Sequence, residues 1–183
     1  EISSSYGIVK HYSIPHRIID ICSVMASFKS NLLKTGGPIP EGHYEAESMK
    51  LTVVPARNII FASILAGIAV SEEATEIWLG VHAGDHAIYP DCRPAFIALM
   101  QDAIQLGTDT DIKLVAPFLY YNKKHILEEG IRLNVPYHLT RTCYKAQPIA
   151  CGKCGSCQER LAAFKLCGME DPIDYESREV LPK

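Results

Sequence analysis

The sequence lacks the features that mark a membrane, secreted or nucleic-acid-binding protein. Its longest apolar run, residues 58–70, is shorter than the roughly 20 residues of a membrane-spanning helix. Residues 1–15 contain no apolar signal-peptide core, and neither end shows a lipidation motif. The formal net charge of −3 offers no basic surface for nucleic acid. We therefore expect a cytoplasmic protein that binds neither a membrane nor nucleic acid directly.

Strands and helices alternate along the predicted secondary structure. Apolar patterns and turn residues predict strands at 6–14, 76–81 and 112–116, and helices at 18–33 (whole or broken), 55–70, 92–106, 122–134 and 156–167. Asp91 can cap the third of these helices, and Ser156 with Glu159 forms a capping-box pattern at the last. This order predicts an α/β fold, a parallel sheet with helices on its faces.

Cysteine is the informative residue. The chain has seven cysteines, and four of them lie within fifteen residues, at Cys143, Cys151, Cys154 and Cys157. Thiolates at this spacing can converge on one tetrahedral ion, and the glycines of CGKCGSC allow the tight turn. Four sulfur ligands predict one structural zinc ion per chain, with an iron–sulfur cluster or unligated thiols as alternatives. For Cys22 and Cys167 we expect the role of small apolar residues.

A polar loop, HAGDHAIYPDCR at residues 82–93, follows the predicted strand 76–81. Ligands in parallel α/β sheets bind beyond the carboxyl ends of the strands, so this loop is a candidate binding site. Its aspartates can accept two hydrogen bonds from a guanine-like edge, and Arg93 can pair with a carboxylate or phosphate. The alternative is that Asp91 only caps a helix and that His86 is a solvated loop residue.

Two helix starts carry further candidates. Arg57 and Asn58 lie in the first turn of the predicted helix 55–70, where the helix dipole favours an anion. Lys123 and Lys124 begin the helix 122–134, although cations are unfavourable at that end of the dipole. A ligand-binding role and plain solvent exposure both account for these residues.

Together these segments resemble the 7-cyano-7-deazaguanine synthase family, within the wider group of PP-loop ATP pyrophosphatases. The matching segments are VPARNIIF at 54–61, GVHAGDHAIYPDCR at 80–93, APFLYYNK at 116–123 and the cysteine segment 142–160. YPDCR followed by the four cysteines is the most specific part. The resemblance implies a Rossmann-like fold of the adenine nucleotide alpha-hydrolase type, with helices on both faces of the sheet.

The resemblance also implies an activity. An ATP-dependent ligase of this family converts 7-carboxy-7-deazaguanine and ammonia to 7-cyano-7-deazaguanine, through an adenylated carboxylate and then an amide, in queuosine biosynthesis. By resemblance, Lys123 is catalytic, Arg57 and Asn58 bind ATP, with Mg²⁺ expected, and the substrate residues are Asp85, Tyr89, Asp91 and Arg93. A homodimer is expected because relatives commonly form one.

One family feature is missing from the sequence. The SGGxDS phosphate loop does not occur, so we expect residues 1–140 to form a nucleotide-binding domain without its N-terminal strand and phosphate loop. Residues 141–183 are expected to form a zinc-binding segment with a C-terminal helix. Two alternative functions stay open: a PP-loop enzyme that stops at the amide or adenylates another target, and a non-catalytic, zinc-stabilised binding module.

Overall fold

The computed structural model describes residues 1–181, and within this range it contains six α-helices and two β-strands. The helices are α1 Ile2–Tyr12, α2 Cys22–Met25, α3 Arg57–Ser71, α4 Pro94–Thr108, α5 Lys123–Arg132 and α6 Gly155–Leu166; the strands are β1 Glu76–Trp78 and β2 Lys113–Val115. Short 3₁₀ turns lie at Glu47–Thr52, Ala83–Ala87, Pro90–Cys92 and Tyr137–Leu139.

The two strands form a parallel pair, with Glu76 opposite Lys113 and Trp78 opposite Val115. Helix α3 packs on β1 and α4 packs on β2. The side chain of Gln101 in α4 accepts the N–H of Leu114 and donates to the carbonyl of Ile112 at 2.9 Å. The predicted α/β class with a parallel sheet is therefore confirmed, because each strand packs against the helix that precedes it in the chain.

The chain divides into two compact units. The sheet unit is Val54–Asn122, and the cysteine unit combines Glu1–Val53 with the residues from Lys123 onward. The sheet unit contains the 82–93 loop and the cysteine unit contains the four-cysteine cluster. The predicted boundary between residues 140 and 141 stays a prediction, and the predicted segment 141–183 extends two residues beyond the described part.

The predicted strand at 6–14 is wrong, since residues 6–12 belong to helix α1. The helix approaches Leu139 through Gly7, where an added Cβ would lie 3.7 Å from the leucine side chain. No residue of α1 is fully buried, so its sequence carries only a weak helical stripe. The helix ends at Tyr12, and the backbone of its C-cap, Ser13, is left-handed with φ of 53°.

The predicted helix at 18–33 is reduced to the single turn α2. The Asp20 carboxylate accepts the N–H of Cys22 at 2.8 Å, a local bond that starts this turn. Further along, the Asn31 N–H donates to the carbonyl of Leu51 at 2.8 Å. At Asn31 the backbone thus bonds to a distant segment and not to the residue four positions earlier, as it would in a continuing α-helix.

One stretch, Glu47–Ser71, is long and apolar enough to cross a membrane, by length and composition only. The stretch is not a continuous α-helix, because Val53 is extended and Ala56 has a left-handed φ of 55°. Its α-helical part, α3, has 15 residues and is about 22 Å long, against a hydrocarbon core of about 30 Å. The apolar composition of this stretch, and not a continuous helix, therefore accounts for its resemblance to a membrane span.

Candidate metal centre and candidate ligand loop

The four cysteines converge as their spacing predicts. The Sγ atoms of Cys143, Cys151, Cys154 and Cys157 all lie within 4.8 Å of one another, and all four residues are buried. A zinc ion with Zn–S bonds of about 2.3 Å holds its ligands about 3.8 Å apart. The 4.0 Å between the sulfurs of Cys151 and Cys157 is close to that spacing and twice the length of a disulfide. The cluster can hold a metal such as zinc.

Backbone geometry explains why the sulfurs converge. Gly152 has a φ of 73°, and a Cβ at this position would collide with the carbonyl of Ser177. The turn that it permits directs the N–H groups of Lys153 and Cys154 to the Cys151 sulfur at 3.4 and 3.3 Å. The Cys151 N–H donates to the Cys143 sulfur at 3.3 Å. Such N–H···S bonds stabilise negative charge on sulfur, as a thiolate metal ligand requires.

The thiols also compete for charge. Hydrogen bonds from Cys154 and Cys157 lower the pKa of Cys143, whereas the same contact with Cys143 raises the pKa of Cys157. One thiolate is thus stabilised at the expense of its neighbours, because several negative charges cannot share a dry cluster. A bound cation removes this conflict, so the donor set fits a metal site.

Helix α6 begins at the cluster, but not with the predicted capping box. Its N-cap is Cys154, and the Ser156 hydroxyl donates to the carbonyl of Thr142 at 2.8 Å. Glu159 pairs with Lys123, 3.4 Å between Nζ and Oε2. The two polar side chains therefore fix neighbouring segments and do not cap the helix, so the predicted capping box is wrong.

A buried ion pair joins α6 to the C-terminal segment. Arg160 binds Asp171 through two hydrogen bonds, Nε to Oδ2 at 2.6 Å and Nη2 to Oδ1 at 2.8 Å. The guanidinium also donates to Thr140 Oγ1 at 2.7 Å and lies over the ring of Phe164. The hydroxyl of Tyr175 donates to Asp171 at 2.7 Å. Every charge in this network has a partner, as burial requires.

The C-terminal segment also holds the cysteine turn directly. The Gln158 amide donates to the carbonyls of Gly152 and Glu179, and its oxygen accepts the N–H of Leu181 at 2.8 Å. Ala150 pairs with this segment through two backbone hydrogen bonds. The cluster is therefore enclosed by protein on several sides, which suits a structural site better than a catalytic one.

In the sheet unit, the 82–93 loop begins with a capping box. His82 Nδ1 accepts the N–H of Gly84 at 3.1 Å, and the Asp85 carboxylate accepts the N–H of His82 at 3.1 Å. His82 Nε2 also lies 3.4 Å from Asp85 Oδ1. Sequence reasoning missed this role of His82, although the His–x–x–Asp spacing is the signal that could have found it.

Asp91 and Asn58 bond to each other across 33 positions of sequence. The Asp91 carboxylate accepts the backbone N–H of Asn58 at 2.9 Å, and the Asn58 side-chain amide donates to the Asp91 carbonyl at 2.9 Å. Asp91 was predicted to cap the following helix, but the N-cap of α4 is Arg93. Asp91 instead caps α3, so that this helix N-terminus already faces a carboxylate of the protein.

The same amide of Asn58 also donates to the sulfur of Cys92 at 3.2 Å. Cys92 is buried, and burial raises the pKa of its thiol to about 12, with the charges of Asp85 and Asp91 acting in the same direction. The group therefore stays a neutral thiol near neutral pH. It packs inside the loop as a small apolar residue.

Two arginines are oriented by the loop. The Arg57 guanidinium lies over the ring of Tyr89, 5.6 Å from the ring centroid. Arg93 is exposed, and its Nε donates to the carbonyl of His86 at 2.9 Å. This hydrogen bond to a backbone carbonyl fixes the orientation of the Arg93 guanidinium. Its two Nη groups can then pair with a planar anion.

The predicted site residues thus divide between the two units. Arg57, Asn58 and the four predicted substrate residues lie in the sheet unit, and the structure brings them together with His82, His86 and Cys92. Lys123 lies in the cysteine unit beside Glu159. Sequence reasoning missed Glu159 as a partner of Lys123, since 36 positions separate them.

Fold and site define a class: an α/β protein with a parallel strand pair, a polar loop following its first strand, and a buried four-cysteine cluster that can hold a metal. The family model described as "Queuosine biosynthesis protein QueC" matches residues 1–168. The chain belongs to this family, whose enzymes act on small-molecule substrates.

The chain is also similar to curated proteins named 7-cyano-7-deazaguanine synthase. The 7-cyano-7-deazaguanine synthase of Pseudoalteromonas atlantica is 47% identical over 163 residues, 89% of this chain and 75% of the relative. Those of Hahella chejuensis (45% identical, 97% and 77% covered) and Methanoregula boonei (44%, 96% and 81%) are similar over nearly the whole chain. The predicted family resemblance is confirmed.

Proposed function

We propose that this protein is an ATP-dependent ligase that converts 7-carboxy-7-deazaguanine and ammonia to 7-cyano-7-deazaguanine. One ATP adenylates the carboxylate and releases pyrophosphate, and ammonia then displaces AMP to form the amide. A second ATP activates the amide oxygen, and loss of AMP leaves the nitrile. The observation that carries the proposal is the YPDCR loop, with its oriented Arg93 and Tyr89, in a chain of this family.

In this proposal the loop binds the substrate. The Nη groups of Arg93 pair with an anionic or carbonyl oxygen, and the ring of Tyr89 supplies an apolar face. Asp85 and Asp91 accept N–H groups of the heterocycle through their carboxylate oxygens, each of which can accept more than one hydrogen bond. The internal bonds of both aspartates support a fixed orientation for this recognition.

ATP binding is assigned to Arg57, Asn58 and Lys123, with Mg²⁺ on the phosphates. Because Asp91 already caps α3, the phosphate contact rests on the Arg57 guanidinium more than on the helix N-terminus. Lys123 is the proposed catalytic cation, and its pairing with Glu159 holds the ammonium group in place. Positioning and charge stabilisation supply the catalysis.

The remaining assignments concern zinc, compartment and assembly. We assign zinc to the cysteine cluster because four thiolates in a closed site suit this ion. Seven cysteines without a disulfide favour the cytoplasm. A homodimer is supported by the exposed apolar side chains Ile2, Ile14 and Ile18, which association would cover. Elemental analysis should find about one zinc per chain, and sedimentation should give twice the mass of one chain.

The decisive assay incubates the protein with ATP, ammonium and 7-carboxy-7-deazaguanine, and follows products by mass spectrometry. We expect the nitrile, with the amide as an intermediate and AMP as co-product. Accumulation of the amide alone would shift the assignment to an enzyme that stops there. AMP without amide or nitrile would refute the proposed activity.

A further inference from the structure

The side chain of His86 has an unusual environment. Within residues 1–181, His86 Nε2 is a buried side-chain nitrogen without a hydrogen-bond partner. Burying such a nitrogen removes its bond to water, and the loss is not recovered unless another group replaces water. Unpaired buried polar atoms are rare in folded proteins, and a role in binding or catalysis is one explanation for them.

The rest of the loop shows that this is not a general lack of partners. His82 and Asp85 bond to the backbone and to each other. Asn58 and Asp91 bond reciprocally. The unpaired nitrogen therefore stands out within a turn whose other buried polar side chains are satisfied.

The backbone at His86 is also held in place. The N–H groups of Ile88 and Tyr89 both donate to the carbonyl of Asp85, at 3.2 and 2.8 Å, which closes the turn around His86. Arg93 Nε binds the carbonyl of His86 itself. The residue that orients Arg93 through its carbonyl thus carries the unpaired nitrogen on its side chain.

We propose that His86 is a specificity-determining residue whose Nε2 hydrogen-bonds to the heterocycle of bound 7-carboxy-7-deazaguanine. This inference rests on the proposed function. A guanine-like heterocycle offers both N–H donors and a carbonyl acceptor, so either tautomer of the imidazole finds a partner. Binding would then satisfy a nitrogen that the folded chain leaves unpaired, and would fix the heterocycle beside Arg93.

The first test is a titration of the zinc-loaded protein, ¹⁵N-labelled at histidine, with 7-carboxy-7-deazaguanine in the absence of ATP. The His86 resonances are assigned as those missing from the His86→Gln variant. We expect the His86 Nε2 signal to shift on binding, while the signal of exposed His11 stays in place. A His86 Nε2 signal that does not move on saturation would overturn the inference.

The second test compares variants by affinity and kinetics. His86→Phe keeps a ring of similar size and removes the nitrogen, so we expect about a tenfold weaker substrate affinity and a KM raised by the same factor, as for one lost hydrogen bond. The KM for ATP should not change. His86→Gln, which places an amide near the position of Nε2, should recover part of the loss, and His11→Gln serves as the matched control.

The outcomes separate the two proposals. If the wild type makes the nitrile and His86→Phe has the same KM, the His86 inference fails and the proposed function stands. The His86 inference also fails, and the proposed function stands, if the Nε2 signal is unchanged with substrate bound because water alone occupies this nitrogen. If the wild type binds no 7-carboxy-7-deazaguanine, both proposals fail. If His86→Phe does not fold, the wild-type titration and the KM of His86→Gln still test the His86 inference.

Discussion

The cysteine cluster and the 82–93 loop both concentrate reactive side chains in a short stretch, but the structure satisfies them differently. The four thiols are buried and contact one another, with backbone N–H groups on their sulfurs. The loop exposes Arg93 and leaves the buried His86 Nε2 unpaired. A site whose groups satisfy one another around a metal stabilises the fold, whereas a site with unused bonding capacity is suited to bind a ligand.

The largest effect should come from removing a metal ligand. Cys157→Ser leaves three thiolates, and we expect loss of zinc with a destabilisation of about 5 kcal/mol or more, because metal-binding free energy is folding free energy. Elemental analysis measures the zinc content, and urea unfolding followed by circular dichroism measures the stability. Cys22→Ser, at an exposed cysteine, is the control and should change neither. Retained zinc and an unchanged unfolding midpoint in Cys157→Ser would contradict a structural role.

The next effect concerns the ion pair that joins α6 to the C-terminal segment. Asp171→Asn leaves Arg160 buried without its counter-charge, which should lower the free energy of unfolding by about 3–5 kcal/mol. Glu170→Gln removes the exposed partner of Arg178 and should have no measurable effect. Equal midpoints for both variants in urea would show that the buried pair does not hold the cysteine unit together.

In the loop we expect a smaller change. Asp91→Ala removes the cap from α3 and should cost about 1–2 kcal/mol, while Asp91→Asn keeps an acceptor oxygen and should cost less. Urea unfolding gives the stability, and hydrogen exchange at the Asn58 amide reports on the cap itself. Unprotected exchange in the wild type would contradict the capping bond. An increase in substrate KM in Asp91→Asn beyond its stability loss would support direct contact with the substrate.

The smallest effect is expected at Ala56, which precedes α3 with a left-handed φ of 55°. Ala56→Gly relieves the cost of this conformation, about 1–2 kcal/mol, but adds flexibility to the unfolded chain worth about 0.5–1 kcal/mol. A net stabilisation of about 0.5 kcal/mol should appear in urea unfolding. Ala98→Gly, on the exposed face of α4, should instead destabilise by about 1 kcal/mol. Destabilisation by both variants would refute the strain at Ala56.

Strong apolar and cysteine patterns predicted the structure correctly, whereas weak periodicity, capping patterns and distant pairings did not. Helix α3 was predicted because its apolar residues follow a proline turn, and the cysteine cluster because its members lie close in sequence. The strand predicted at 6–14 was wrong, since a helix with one half-buried face leaves little periodicity. Asp91 was assigned to the wrong helix because capping patterns assume that the cap precedes its own helix.

The sequence by itself therefore determined the metal-binding capacity and the family, since both depend on residues at fixed short spacing. Only the tertiary structure decided that Asp91 caps α3, that Arg160 meets Asp171, and that His86 Nε2 is buried without a partner. These are properties of packing between segments, and sequence order specifies no distance between residues that are far apart in the chain. A buried polar atom without a hydrogen-bond partner can be identified only when the partners of the polar groups around it are known.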